Sequence, residues 1–352
     1  MTFDADLPPS FFLKWRIRIG NFYTAPQKKA QKFPHLKNIL EKYNVHLDFV
    51  ADNFHGVKMA LRGVLTVADA AHTILGDNAM GTVAKGMHAV GLPLWTPAMP
   101  KAYNASKHLV QSDKSPLKVV YFPSCINQTM GTDKVSNGIR PLPEEMTSLL
   151  QKAGYDVIFP ANMDSLCCGT IWESKGLPEI ALKKTRQLEN ALWEASEHGK
   201  YPVVCDQSPC LHRMKQHITK VRLYESAEFI WKFLKDRLSF RQTDTAVALH
   251  LTCSTRLMKI DHIIYDLACL CSSKVLVPEG VGCCGFAGDK GMTHPELNAY
   301  ALRRLRSQIQ DKGIEVGYSN SRTCEIGLQT NSGIPYRSIV YLVNSCTEQH
   351  DK

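Results

Sequence analysis

The chain has no uninterrupted apolar stretch of the roughly 18–20 residues that a membrane-spanning helix needs. Its best candidate, Val57 to Leu75, carries Lys58, Arg62, Asp69 and His72. The first 20 residues hold Asp4, Asp6, Lys14, Arg16 and Arg18 and lack the apolar core of a secretory signal. The expected location is therefore the cytoplasm, with peripheral contact at the cytoplasmic membrane face left open. A disordered or fibrous composition is absent too. Hydrophobic residues are 44% and charged residues 21% of 352, enough for a sizeable core. The C-x-x-C-x-x-C-x-x-x-C-P run of bacterial ferredoxins does not occur.

What is present is cysteine. Twelve cysteines in a chain read as intracellular argue against a disulfide framework. Two adjacent pairs, Cys167-Cys168 and Cys283-Cys284, turn the reading toward metal or redox chemistry. The net charge of +9 is uneven: residues 1–114 hold 14 Lys+Arg against 8 Asp+Glu. That excess suits a solvated helix face or an anionic partner such as a lipid surface or an acidic protein. No nucleic-acid partner is assigned.

Residues 1–115 read as a helical N-terminal region and linker. Phe11–Phe22 mixes apolar and basic residues, and Phe33–Phe54 has a helical tone. Val57, Leu61, Val64, Ala68, Ala71 and Leu75 recur at spacings of three and four, one face of an amphipathic helix. The texture then changes to alternating strands and helices. In residues 116–245 the expected strands are Lys118–Phe122, Tyr155–Phe159, Pro202–Cys205 and Val221–Tyr224, with helices over Pro143–Ala153 and about Glu179–His198. In residues 246–352 they are Ala246–Leu251, Lys274–Val277, Glu315–Tyr318 and Ile339–Leu342, with helices over about Asp261–Leu270 and Pro295–Asp311.

The two halves align. Cys125 matches Cys253 at an offset of 128, Cys167 and Cys168 match Cys283 and Cys284 at 116, and Cys210 matches Cys324 at 114. Element order is kept while offsets drift in loops, which points to an internal duplication. Strands alternating with helices imply βαβ units. The expected fold is α/β: two tandem pseudo-symmetric cysteine-rich lobes with mostly parallel sheets behind the helical region.

In a parallel sheet, ligands bind beyond the carboxyl ends of the strands. Each lobe places its cysteines after its first, second and third strands, so Cys125, Cys167, Cys168 and Cys210 should converge, as should Cys253, Cys283, Cys284 and Cys324. Glycine after each pair permits a tight turn. Four thiolates form a soft ligand set for an iron–sulfur cluster or zinc; the bland alternative is buried structural thiols. Cys205, Cys269, Cys271 and Cys346 read as core. His250 reads as a core histidine. Arg256 and Arg322 either stabilise thiolate charge or face solvent. Asp164 and Asp206 read as loop builders.

The tandem C-x(n)-CCG-x(n)-C pattern resembles the cysteine-rich CCG domain of the heterodisulfide reductase B-like group. Within that group, Tyr121–Gly131, Val277–Gly291 and Gly317–Val343 look most like the C-terminal part of large FAD/iron–sulfur D-lactate dehydrogenases. The resemblance covers about Lys118 onward. It implies a [4Fe–4S] cluster in one or both lobes and no catalytic residue of the chain's own. It also implies an electron-transfer role between FAD on a partner domain or subunit and a quinone or cytochrome, with a ferredoxin-type domain between them. Complete CCG domains end in C-x-x-C; here Gln207 and Ser321 stand at the first of those positions. That departure disfavours a noncubane cluster and a heterodisulfide reductase-like thiol chemistry. A zinc-stabilised interaction domain is the other class left open. No FAD-binding segment is read in the chain, so no lactate oxidation is expected from it alone.

Overall fold

The computed structural model describes residues 47–111, 114–136 and 138–349. The expected helix Phe11–Phe22 lies outside the described residues, as does most of Phe33–Phe54. A helical stretch over residues 47–52 leads into helix α1, Phe54–Ala89, whose backbone leaves the helical region at Gly76.

Helix α1 forms where its periodicity predicts, but the line of residues facing inward is turned by roughly 80° from the apolar stripe. Its buried residues are Phe54, Lys58, Leu65, His72, Met80 and Ala84. Val57, Leu61, Val64 and Leu75 of the apolar stripe are exposed, as are Val67 and Ile74. The inward polar groups win because each finds a partner. Arg62 donates to the carbonyls of Tyr103 and Gln128 and to Asp164. Lys58 bonds Gln128 and pairs with Asp164 at 3.2 Å.

Two four-stranded sheets follow. The first contains β1 (Lys118–Phe122), β2 (Asp156–Ile158), β3 (Val203–Cys205) and β4 (Leu223–Glu225), in the order 2-1-3-4. The second contains β6 (Val247–Leu249), β7 (Val275–Leu276), β8 (Gly317–Ser319) and β9 (Tyr336–Ser338), in the order 7-6-8-9. All pairings in both sheets are parallel. Substituting each strand by its counterpart turns one order into the other, as a duplication requires. Val119 to Phe122 are all buried, the mark of a strand covered on both faces.

The halves meet about a pseudo-two-fold. Helix α2 (Leu142–Lys152) follows the first strand of its lobe and packs on α7 (Ile339–Ser345), which follows the last strand of the other. Reciprocally, α5 (Asp261–Cys271) packs on the helix Ser226–Phe229. Beyond those helices, β5 (Leu238–Phe240) and β10 (Thr347–Gln349) pair antiparallel with each other. Like elements pairing with like is an isologous contact. The largest apolar core lies there, joining Tyr121, Leu149 and Phe229 of one lobe to Leu249, Ile264 and Val343 of the other.

Two expected elements need correction. Ile339–Leu342 is not a strand. The last strand is β9, just before it, and Ser338 then caps α7 by accepting from the Val340 amide. A short apolar run does not by itself separate strand from buried helix. The expected helix Pro295–Asp311 is two, Pro295–Ala301 and Leu305–Ile309. The second sheet is otherwise shorter than read, and β8 ends at Ser319.

Candidate metal centre

The eight matched cysteines come together four by four. In the first lobe Cys125 contacts Cys167, Cys167 contacts Cys168, and Cys168 contacts Cys210. In the second the same order runs Cys253, Cys283, Cys284, Cys324, and the Cys284 and Cys324 sulfurs lie 2.9 Å apart. Both sets form at the carboxyl ends of their strands. Among the described residues no trio of His, Cys, Asp or Glu side chains is arranged around a single metal ion.

The local backbone explains the CCG triplet. Gly169 and Gly285 sit at φ +92 and +70. Each reverses the chain so that its own amide donates to the sulfur two residues back, Cys167 or Cys283, at 3.4 Å in both lobes. A Cβ on Gly169 would stand 2.5 Å from the Ala181 carbonyl oxygen, and one on Gly285 2.6 Å from that of Leu297. No other residue fits either turn. Cys210 and Cys324 lie in the first turns of α4 (Ser208–His217) and α6 (Arg322–Ser332), where the helix dipole favours a thiolate.

The thiols share their protons unequally. Cys168 is held well below the usual thiol range by hydrogen bonds from Cys167 and Cys210, with Thr170 Oγ1 3.1 Å from its sulfur. Cys283 is lowered by hydrogen bonds from Cys253 and Cys284 and from the Gly285 amide. Their neighbours Cys167, Cys210, Cys253 and Cys284 are pushed up.

The surroundings of the two sets differ. Leu47, Ala51 and Phe54 cover the first set together with Trp172 and with Ile180 and Ala181 of α3 (Pro178–Ala195). Cys167 is buried and Cys125 half-buried where their counterparts Cys283 and Cys253 are exposed, while Cys168, Cys284 and Cys324 are buried and Cys210 is half-buried. The Cys168 carbonyl accepts from Arg213 Nη1 at 2.5 Å and Thr185 Oγ1 at 2.9 Å; the Cys284 carbonyl accepts from the neutral Asn298.

Several residues take roles other than those read from sequence. Asp164 is no mere loop builder: it anchors α1 through Lys58, Arg62 and Ser106, and these hold its carboxyl at about 2 against burial. Asp206 is buried and ties β1 to the Cys125 loop, accepting from Tyr121 Oη at 2.6 Å and from the Ser124 amide. Arg322 is buried, facing neither the thiols of its own loop nor solvent; it crosses to Asn127 of the first lobe and pairs with Glu325. Arg256 stays beside the CCG turn, 3.2 Å from where a Gly282 Cβ would stand. His250 is buried with its Nδ1 3.2 Å from Ser319 Oγ, and burial lowers it to about 4, so it is neutral. Cys205, Cys271 and Cys346 are buried and Cys269 is partly so; none belongs to either set.

The positions lacking the extra cysteines have a structural use. Gln207 Nε2 donates to Ser321 Oγ at 3.0 Å, and the Arg322 amide donates to Gln207 Oε1 at 2.9 Å. Gln207 and Ser321 are counterparts, so their contact lies on the pseudo-two-fold. These two counterpart positions thus stitch the lobes together.

The cysteine-rich domain family CCG matches residues 119–215 and 247–329, just over half of the chain. The chain belongs to the CCG family. No curated protein matches it. Both matched segments contain a complete four-cysteine set of this CCG protein, and α1 lies outside them. The donors fit an iron–sulfur or other thiophilic metal group: eight sulfurs, no competing hard ligand within the sets, and positive groups on the covered side. Sequence reading missed Lys58, Lys184 and Arg213. The available signal was Lys58, Leu65 and His72 at intervals of seven, on a line beside the apolar stripe.

Proposed function

We propose that this CCG protein is an iron–sulfur electron-transfer module of a flavin-dependent D-lactate (2-hydroxy acid) dehydrogenase. Its expected cofactor is one [4Fe–4S] cluster per lobe, held by Cys125, Cys167, Cys168 and Cys210 and by Cys253, Cys283, Cys284 and Cys324. The observation that carries the reading is the gathering of two equivalent four-cysteine sets from remote parts of each lobe. Such a group, when bound, accepts and returns single electrons. The chain's own residues hold and shield it. Gly169 and Gly285 aim the paired sulfurs, α4 and α6 direct amide dipoles at Cys210 and Cys324, and α1 excludes water from the first set.

The flavin-bearing partner, with any ferredoxin-type domain, docks on the outward face of α1. From Gly56 to Leu75 no exposed position of that helix is charged. Its stripe repeats at four, three, four, three and four residues, the spacing at which a second helix packs. The inward side of the same helix holds Lys58 against the Cys125 loop. From the module, electrons go on to a quinone or cytochrome, at the cytoplasm or its membrane face. No described helix is long and apolar enough to cross a membrane.

Anaerobic purification with iron and sulfide analysis tests the ligand sets. Brown protein is expected, with Cys168→Ser and Cys284→Ser each removing one component of its EPR spectrum. Colourless protein containing zinc would favour a redox-silent interaction domain and refute the proposal. D-lactate with a dye acceptor should give no turnover until the flavoprotein part is added.

A further inference from the structure

We propose that Lys58 and Lys184 are the counter-charges of the first lobe's cysteine set, two buried ammonium groups that neutralise its ligands and set the reduction potential of what they bind, whereas solvent and Arg256 serve the second set. This rests on both sets holding a redox centre.

Lys58 and Lys184 are each only 2% exposed, a rare place for lysine unless its charge is compensated. Lys58 has Asp164 at 3.2 Å, but Arg62 shares that carboxylate at 2.8 Å, so the trio keeps a net positive charge. Among the described residues the hydrogen-bond partners of Lys184 are two carbonyls, of Ala51 and Ser165, at 3.1 and 3.0 Å. Phe54 lies between the lysines, its ring centroid 6.0 Å from one ammonium and 5.6 Å from the other.

Both cations adjoin the cysteine loops. Lys184 grips Ser165, two residues before Cys167; Lys58 grips Gln128, three after Cys125. The fields of Cys125 and Cys167 partly offset the burial that lowers the two lysines. Arg213 also reaches the Cys168 carbonyl, but its charge is paired with Glu173; the Cys284 carbonyl of the second lobe is held by the neutral Asn298.

Four thiolates around an iron–sulfur core carry net negative charge, and each added electron increases it. None of the first set's cysteines is exposed, so that set needs fixed positive charge to compensate. The second set exposes Cys253 and Cys283, so water and counterions do the same. The lysines therefore act on the reduced state most and raise the potential of one centre alone.

The test is an EPR-monitored titration with dithionite, which supplies the electrons, on the reconstituted full chain. Wild-type protein should show two components, assigned by their loss in Cys168→Ser or Cys284→Ser. Lys184→Met and Lys58→Met should move the first-lobe component to lower potential and leave the other in place. Lys184→Arg, which keeps the charge, should restore the wild-type value. Equal shifts of both components, or none at wild-type iron content, would overturn the proposal. A second measurement needs no lysine variant: salt raised to about 1 M should shift the second-lobe component only. Equal salt shifts would count against it. Wild-type protein without iron would instead overturn the metal reading on which this rests.

Discussion

Replacing Gly169 by alanine isolates what the third letter of the CCG triplet does. At φ +92 an alanine pays about 1–2 kcal/mol for the left-handed backbone. Its Cβ would also lie 2.5 Å from the Ala181 oxygen, 2.8 Å from Arg213 Nη1 and 2.9 Å from Thr185 Oγ1. The nearest atom is helix backbone, which cannot swing aside, so overpacking adds about 1–3 kcal/mol. The sum, roughly 2–5 kcal/mol, is a large share of a typical stability of about 5–15 kcal/mol. Gly313 is the control: φ is +63 and nothing stands within 4 Å of a Cβ, so Gly313→Ala should lose only the backbone part. Urea unfolding followed by circular dichroism measures both. The displaced turn should also carry Cys168 away from Cys210 and raise the reactivity of the first-lobe thiols toward a thiol reagent. If Gly169→Ala matches Gly313→Ala within about 0.5 kcal/mol and its thiols react as in wild type, the steric account of the triplet is wrong.

Three further outcomes follow from the same structure. Gly285→Ala, with its Cβ 2.6 Å from the Leu297 oxygen and 2.8 Å from the Ala301 Cβ, should destabilise by a similar amount and perturb Cys284 rather than Cys168, read by which cysteine a thiol reagent labels. Glu225 is fully buried and raised to about 6 by burial, so the folded chain holds its proton more tightly than the unfolded one; its contribution is full below the unfolded value of about 4.5 and is lost as pH rises through about 6, a fall of about 2 kcal/mol, and Glu225→Gln should flatten the stability profile across that window. Val67, 70% exposed, should accept glutamate with a stability change within about 0.5 kcal/mol, while the affinity for the flavoprotein part drops; unchanged affinity would remove the outward face of α1 as the docking surface.

Much of the fold was legible because it is written in repeats and periods. The succession of strands and helices in both lobes, their parallel pairing and the grouping of eight cysteines follow from equal spacing of equal motifs, and a sheet with helical crossovers leaves one edge where such loops can meet. The glycine of each triplet was legible for the same reason: a pair of cysteines followed by glycine is a turn signal whatever surrounds it. The orientation of α1 was not. Hydrophobic periodicity assigns the apolar stripe inward, but Lys58, Arg62 and His72 found partners in the body of the protein, Gln128, Asp164, the carbonyl of Tyr103 and the ring of Trp95. Those partners lie 23 to more than 100 residues away, and no local rule sees them. The same is true of Asp164 and Arg322, whose sequence neighbourhoods suggest a loop and a ligand loop while their contacts reach another element or the other lobe. The strand misread at Ile339 has a local cause, since one hydroxyl at Ser338 decides between two conformations that an apolar run permits equally. Sequence alone thus determined which atoms could bind a soft metal and that there were two sets of them. Only tertiary structure decided that one set has no exposed cysteine and is flanked by buried cations while the other exposes Cys253 and Cys283, because burial and charge compensation are properties of chains packed together, not of residues in a row.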